Sequence, residues 1–313
     1  MTALRRLAAA ALLAAAACAP QAPVATGAPA APAAPAPSSV GTAARTEGSL
    51  LIVGGGPIPG TLLQRFVDLA GGAGRARIVV FPTASAVESS GPDMVARLEA
   101  LGADAVSVRP TREEAMREES ARLLDGATGV WFTGGDQNRI TATMGGTPLA
   151  RALEARYRAG TVVGGTSAGA AIMSARMITG EEQRPGGARP VDDDGWMTIE
   201  SDNIEVAPGL GLLRGAVVDQ HFVRRKRHNR LLSVVLEHPE RLGVGIDEST
   251  AIEVAPDGRW TVRGASVALV YDARGARVAP ADSTHTLAAT GVVLHLLPAG
   301  ATFDPATGEA RLP

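Results

Sequence analysis

The chain has 313 residues, 20% of them charged and 45% in the hydrophobic class. That excludes a fully disordered chain and supplies apolar material for a sizeable core. Aromatics are only 3%, and 30 Lys plus Arg against 32 Asp plus Glu leave a net charge of −2, which argues against base-stacking nucleic-acid modules and a global basic footprint for phosphate backbones. The single cysteine, Cys18, rules out an internal disulfide and a cysteine-based metal site.

Arg5 and Arg6 precede an apolar run from Leu7 to Ala17. A short positive region followed by a hydrophobic one predicts a secretory signal over residues 1–18. The run is too short to cross a bilayer as a stable helix. Ala15-Ala16-Ala17-Cys18 resembles a bacterial lipoprotein signal, in which the cysteine becomes the acylated, membrane-anchoring N-terminus. It departs from that signal at Ala15, where Leu or Val is usual. Plain secretion with cleavage near Ala17 or Ala19 is the alternative. Either way the protein is expected to be exported: periplasmic, anchored at the outer membrane, or extracellular. Residues 19–46 are dominated by Ala, Pro, Ser, Thr and Gly without periodicity. They read as a semi-stiff tether, and residues 47–313 as the folded body.

In the body, Ser49 to Val53, Arg77 to Phe81, Ala105 to Val108, Gly129 to Phe132 and Thr161 to Val163 are short apolar runs bounded by Gly or Pro. They predict buried parallel strands. Helix-like stretches lie between them at Thr61 to Ala70, Gly91 to Leu101, Glu113 to Leu124 and Pro148 to Ala159. This alternation predicts an α/β fold, a doubly wound parallel sheet with helices on both faces. Past residue 243 the pattern changes. Val244 to Ile246, Ala251 to Val254, Trp260 to Val262, Ser266 to Tyr271 and Thr290 to Leu297 read as strands of an antiparallel C-terminal extension.

Functional residues of such folds collect at the carboxyl ends of strands. After the fifth strand, Gly165, Ser167 and Gly169 form G-x-S-x-G, the pattern of a nucleophile elbow. A sharp strand-to-helix turn would lift the Ser167 hydroxyl above the sheet edge, and the flanking glycines permit the strained backbone. The alternative is a Gly-rich turn without chemistry. After the fourth strand, Gly134-Gly135 either presents N–H groups to an oxyanion or is a simple tight turn.

A serine nucleophile needs a general base, and histidine is the usual one. Of His221, His228, His238, His285 and His295, His221 ends an apolar run and is favoured. His238 precedes Pro239 and suits a helix cap. His285 and His295 suit structural or exposed roles, and His228 lies in a basic stretch. There is no HExxH motif, and Asp192-Asp193-Asp194 lacks the spacing of a calcium loop. No metal or cofactor is called for.

Together these pieces resemble the cyanophycinase family of serine peptidases, the group that also includes the aspartyl dipeptidases (peptidase family S51). The resemblance runs over about residues 49–255. It is carried by Gly54 to Gly56, by FTGGDQ at Phe132 to Gln137 and by GTSAGAA at Gly165 to Ala171. Further blocks are GLGLL at Gly209 to Leu213, DQHFVRRKRHNRLL at Asp219 to Leu232 and GVGIDEST at Gly243 to Thr250.

What the resemblance implies is a class I glutamine amidotransferase-like fold, with Ser167 as nucleophile and His221 as base. The N–H groups of Ala168 and of Gly134 or Gly135 would form the oxyanion hole. Gln137, Asp219, Gln220, Arg225, Arg227 and Arg230 match positions that line the family's substrate cleft. The third triad member is expected between serine and histidine, with Glu181 and Glu182 as candidates and Glu182 preferred. The stretch from Arg184 to Gly195 is longer than in cytoplasmic cyanophycinases.

The implied substrate is cyanophycin, a poly-aspartate backbone with arginines on its side chains. Each unit offers a guanidinium and a free carboxylate, and an arginine can clamp the latter through two parallel hydrogen bonds. The product would be a β-Asp-Arg dipeptide. The alternative for the arginines is a solvated helix face. The alternative for the whole is an aspartyl or isoaspartyl peptidase acting on short peptides. The sequence is compatible with a homodimer and does not fix the oligomeric state.

Overall fold

A computed structural model describes residues 48–182 and 198–313, except the side chains of Glu181 and Glu182. The expected leader and tether, and the Arg184 to Gly195 stretch, lie outside the described residues. In chain order the first half holds β1 (Leu50–Val53), α1 (Gly60–Leu69), β2 (Arg77–Phe81), α2 (Ser90–Glu99), β3 (Asp104–Ser107) and α3 (Arg112–Ala115). A 3₁₀ helix (Glu118–Leu124), β4 (Gly129–Phe132), α4 (Gln137–Met144), α5 (Pro148–Arg158), β5 (Val162–Thr166) and α6 (Ala168–Ala171) follow. The second half holds β6 (Arg176–Glu182), β7 (Ile204–Pro208), β8 (Ala216–Gln220), α7 (His228–Glu237), β9 (Leu242–Ile246) and β10 (Thr250–Val254). The chain ends with β11 (Trp260–Gly264), β12 (Val267–Asp272), β13 (Arg277–Ala279), β14 (Ala288–Thr290), β15 (Val293–Pro298), β16 (Thr302–Asp304) and β17 (Glu309–Arg311).

Among the described residues, one sheet has nine strands in the order β17-β16-β11-β10-β1-β5-β4-β2-β3. Strands β1, β5, β4, β2 and β3 run parallel. Their apolar runs face two cores. In β1, Leu50 and Ile52 enter one core and Leu51 and Val53 the other. This two-sided burial is why the strands read as unbroken hydrophobic runs. Helix α1 lays Leu62, Leu63, Phe66 and Val67 on the second core. Helices α4 and α5 cover the opposite face with Ile140, Met144, Leu149 and Leu153.

The C-terminal part departs from one simple extension. Strands β10, β11, β16 and β17 extend the large sheet in antiparallel fashion beyond β1. Strands β9, β12 and β15 instead join β8 in a second sheet, ordered β15-β12-β9-β8. There β8 and β9 pair in parallel, with α7 as the crossover. One face of this sheet (Val218, Val244, Ile246, Val270) joins the core shared with the large sheet. Its other face (Val217, Leu269, Tyr271) receives Leu231, Val234 and Val235 of α7.

One local expectation changes, and one helix stands where none is predicted. The helix expected over Glu113 to Leu124 breaks at Arg117, whose backbone is extended. The Ser120 hydroxyl donates to the Ala115 carbonyl at 3.2 Å and satisfies the end of α3. Helix α4 starts directly after Gly134-Gly135, capped by the Asp136 carboxylate, which accepts from the Asn138 N–H at 2.8 Å.

Candidate active site

The carboxyl ends of β1, β4, β5, β8 and β9 converge on one point. Ser167 follows β5 with φ 54° and ψ −109°, a backbone that L-residues rarely adopt. Its N–H donates to the Val53 carbonyl at 3.0 Å, tying the turn to the end of β1. The turn needs its glycines: a Cβ at Gly165 would sit 2.6 Å from the Gly169 carbonyl oxygen. His221 follows β8, also at positive φ (50°). Its N–H donates to the Gly54 carbonyl at 2.6 Å.

Ser167 Oγ lies 2.9 Å from His221 Nε2. On the far side of the ring, Nδ1 lies 2.7 Å from Glu248 Oε1. Glu248 sits just past β9, which pairs alongside β8. An ionised Glu248 draws the ring hydrogen to Nδ1 and leaves Nε2 as an acceptor for the serine O–H. Burial pushes the His221 imidazole below its usual range; the bond to Glu248 opposes this, and the Arg225 and Arg227 cations reinforce it. The ring is therefore neutral at neutral pH, the form a general base requires.

Gly134 lies against Ser167: a Cβ there would be 3.3 Å from the serine Cβ. Gly135 has φ 140°, and a Cβ on it would meet the Ala84 carbonyl oxygen at 2.2 Å. Among the described residues, the N–H groups of Gly134, Gly135 and Ala168 have no acceptor. Such donors can meet a negative oxygen developing beside Ser167.

A cleft of about 360 Å³ opens over Ser167, lined also by Asn138, Gly180, Arg225 and Arg227. A larger hollow of about 810 Å³ lies between β6, β7, the end of α7 and β13, and none of Ser167, His221 and Glu248 lines it. Asp219 and Arg230 are almost fully buried. Arg230 Nε donates to Asp219 Oδ2 at 2.7 Å, and its terminal nitrogen donates to Oδ1. Arg227 donates to the Gln220 carbonyl at 2.8 Å and to Gln220 Oε1 at 2.9 Å. Burial, with Arg230 nearby, lowers the Arg227 guanidinium to about 10, against the pull of Asp219, so it stays protonated at neutral pH. Among the described residues Arg225 has no ion-pair or side-chain hydrogen-bond partner, and it is exposed at the cleft. Gln137 Nε2 donates to the Ile178 and Thr179 carbonyls at 3.1 and 2.5 Å.

The structure thus brings Ser167, His221, Gly134, Gly135 and Ala168 together, with Gln137, Gln220, Arg225, Arg227 and Arg230 around the same cleft. One candidate is displaced. The carboxylate on His221 is Glu248, where the sequence pointed to Glu182, at the end of β6. The position on Nδ1 is filled, because the pairing of β8 with β9 carries Glu248 there. The sequence carries a partial signal for it: Glu248 stands two residues past the apolar run ending at Ile246, in the GVGIDEST block. Asp219 and Arg230 spend their charges on each other, and Gln137 spends its amide N–H₂ on β6. These three support the cleft more than they present free groups to it. His228 is also accounted for: its Nδ1 lies 2.7 Å from the Tyr271 hydroxyl, and its ring packs on Phe222.

A doubly wound sheet with a hydroxyl, an imidazole and a carboxylate in series at its carboxyl edge defines a class of α/β protein built for hydrolytic chemistry. The family description "Peptidase family S51" matches residues 50–260. The chain belongs to peptidase family S51 and is a peptidase, hence a hydrolase. It is 34% identical over 251 residues to a cyanophycinase of Trichormus variabilis, covering 78% of each chain. A cyanophycinase of Geminocystis herdmanii is 33% identical over 274 residues, covering 83% of this chain and 95% of the relative. Among solved structures, a peptidase from an acI-B1 actinobacterium superposes with a TM-score of 0.57 at 20% identity, covering 85% of this chain and 96% of that one. That likeness bears on the fold alone.

Proposed function

We propose that this protein is an exported serine peptidase that hydrolyses a cyanophycin-like aspartyl-arginine polymer and releases β-Asp-Arg dipeptides. The observation that carries the reading is the unbroken series from Ser167 Oγ through His221 (2.9 Å) to Glu248 (2.7 Å). Ser167 attacks the carbonyl of an aspartyl residue while His221 Nε2 takes its proton. Glu248 holds the ring in the Nδ1–H tautomer and stabilises the imidazolium. The N–H groups of Ala168 and Gly134 or Gly135 receive the oxyanion, each donor being worth about 3 kcal/mol of barrier. His221 then protonates the leaving amine, and water releases the acyl group by the reverse path.

The cyanophycinase names of the relatives supply the substrate. The arginine at the cleft mouth suits it. Arg225 is free to meet the substrate carboxylate, and Arg227 holds its charge beside it. Export rests on the N-terminal pattern of Arg5, Arg6 and the run to Ala17, with Cys18 as the group for lipid anchoring.

The test is incubation of the purified body with cyanophycin, followed by mass analysis of the products. The wild type should release dipeptides and Ser167→Ala should release none. Turnover of short aspartyl peptides with none of the polymer would narrow the enzyme to an aspartyl peptidase.

A further inference from the structure

We infer that the loop Gly54-Gly55-Gly56 sets the distance between base and nucleophile, with Gly55 as a positioning residue that acts through the His221 ring. The inference deepens the reading of Ser167 and His221 as the reacting pair and rests on it.

Three observations carry it. First, the end of β1 and the loop after it bond through the backbone to two members of the relay and to Ser249, the chain neighbour of the third. The Val53 carbonyl accepts from the Ser167 N–H at 3.0 Å, the Gly54 carbonyl from the His221 N–H at 2.6 Å and the Gly55 carbonyl from the Ser249 N–H at 2.9 Å. The Ser249 hydroxyl adds a bond to the Pro57 carbonyl at 2.7 Å. Five consecutive residues therefore link the ends of β5, β8 and β9, which belong to two different sheets.

Second, the missing side chains face the reacting groups. A Cβ at Gly55 would lie 2.4 Å from both Cε1 and Nε2 of His221. Nε2 is the atom that faces Ser167. A Cβ at Gly56 would lie 2.8 Å from Glu248 Cβ and 2.9 Å from its Oε2. Approaches under about 3 Å are repulsive, so ring or carboxylate must move.

Third, the ring has no free retreat. Its main chain is bonded to Gly54 and its Nδ1 to Glu248. A methyl group at position 55 must push Nε2 off the serine hydroxyl or break one of those bonds. A misplacement of about 1 Å at a reacting group costs on the order of 100-fold in rate.

The test is Gly55→Ala in two backgrounds. In the wild type, kcat should fall about 100-fold or more, with KM unchanged within about threefold. Gly55 also has φ 101°, which strains any L-residue there whatever the neighbours. The loss of Tm on Gly55→Ala is therefore measured again in His221→Ala, where the ring is gone and only the backbone strain remains. That loss should shrink by at least half. A kcat near wild type overturns the inference, as does an equal Tm loss, or failure to fold, in both backgrounds. Ser167→Ala separates the two levels. If it still hydrolyses the polymer at the wild-type rate, the underlying reading fails; if it is inactive and Gly55→Ala is not impaired, only the inference fails.

Discussion

Glu248 Oε1 lies 2.7 Å from Nδ1 of His221, although the two stand 27 positions apart in the chain. The contact is made by parallel pairing. Strand β8 delivers His221, β9 delivers Glu248, and Gln220 pairs with Ile246 at the end of the ladder. The order of the relay along the chain is therefore Ser, His, acid.

Glu248→Gln should lower kcat by about 10³- to 10⁴-fold, because an amide can stabilise neither the Nδ1–H tautomer as well nor the imidazolium at all. Glu182→Gln should change kcat by less than about threefold, since Nδ1 already has its carboxylate. Steady-state kinetics on the two variants distinguish the assignments.

The pH profile follows from the His221 environment. Burial favours the neutral ring, so the rise of kcat/KM with pH should lie below the usual histidine value of about 6.5. Activity should persist from neutral into weakly acidic solution and fall once the ring protonates. Glu248 holds this pKa up, so in Glu248→Gln the limb should move further to acid while the plateau drops. A limb above pH ~6.5 in the wild type would contradict this.

Arg230→Met should destabilise the fold by about 3–5 kcal/mol, because it leaves the Asp219 carboxylate buried without its bidentate partner. The double replacement Asp219→Leu/Arg230→Met should cost less than Arg230→Met alone. Urea unfolding measures both. A single variant as stable as the wild type would show that the pair is not coupled.

Arg225→Ala should raise KM about 10- to 100-fold for substrates with a free carboxylate, with kcat largely retained, as expected for loss of a charge-assisted hydrogen bond. The same variant should discriminate little between substrates whose carboxylate is esterified. Paired KM measurements on the acid and ester forms check this.

What the sequence made legible was local. β1, β2 and β4 are apolar runs cut off by Gly or Pro, and they stand within a residue of where the runs put them. Ser167 and His221 were readable because each directly follows a run that ends in a turn. Glu248 was not read as the acid, because its partner is set by which strand lies beside β8, a contact across α7 that no local pattern encodes. The split of the C-terminal strands between two sheets was hidden for the same reason. Arg230 illustrates a different gap: its spacing from Arg227 suggests a solvated face, yet burial against Asp219 decides its role. Helix α4 carries its cap at Asp136, but Gln137–Met144 has few apolar residues, so no element is predicted there.

The most direct measurement of the central claim is labelling with a fluorophosphonate probe, with the modified peptide located by mass spectrometry. The account predicts a single adduct on Ser167, formed at least about 100-fold more slowly in His221→Ala. An adduct elsewhere, or equal labelling rates in the two proteins, would contradict it.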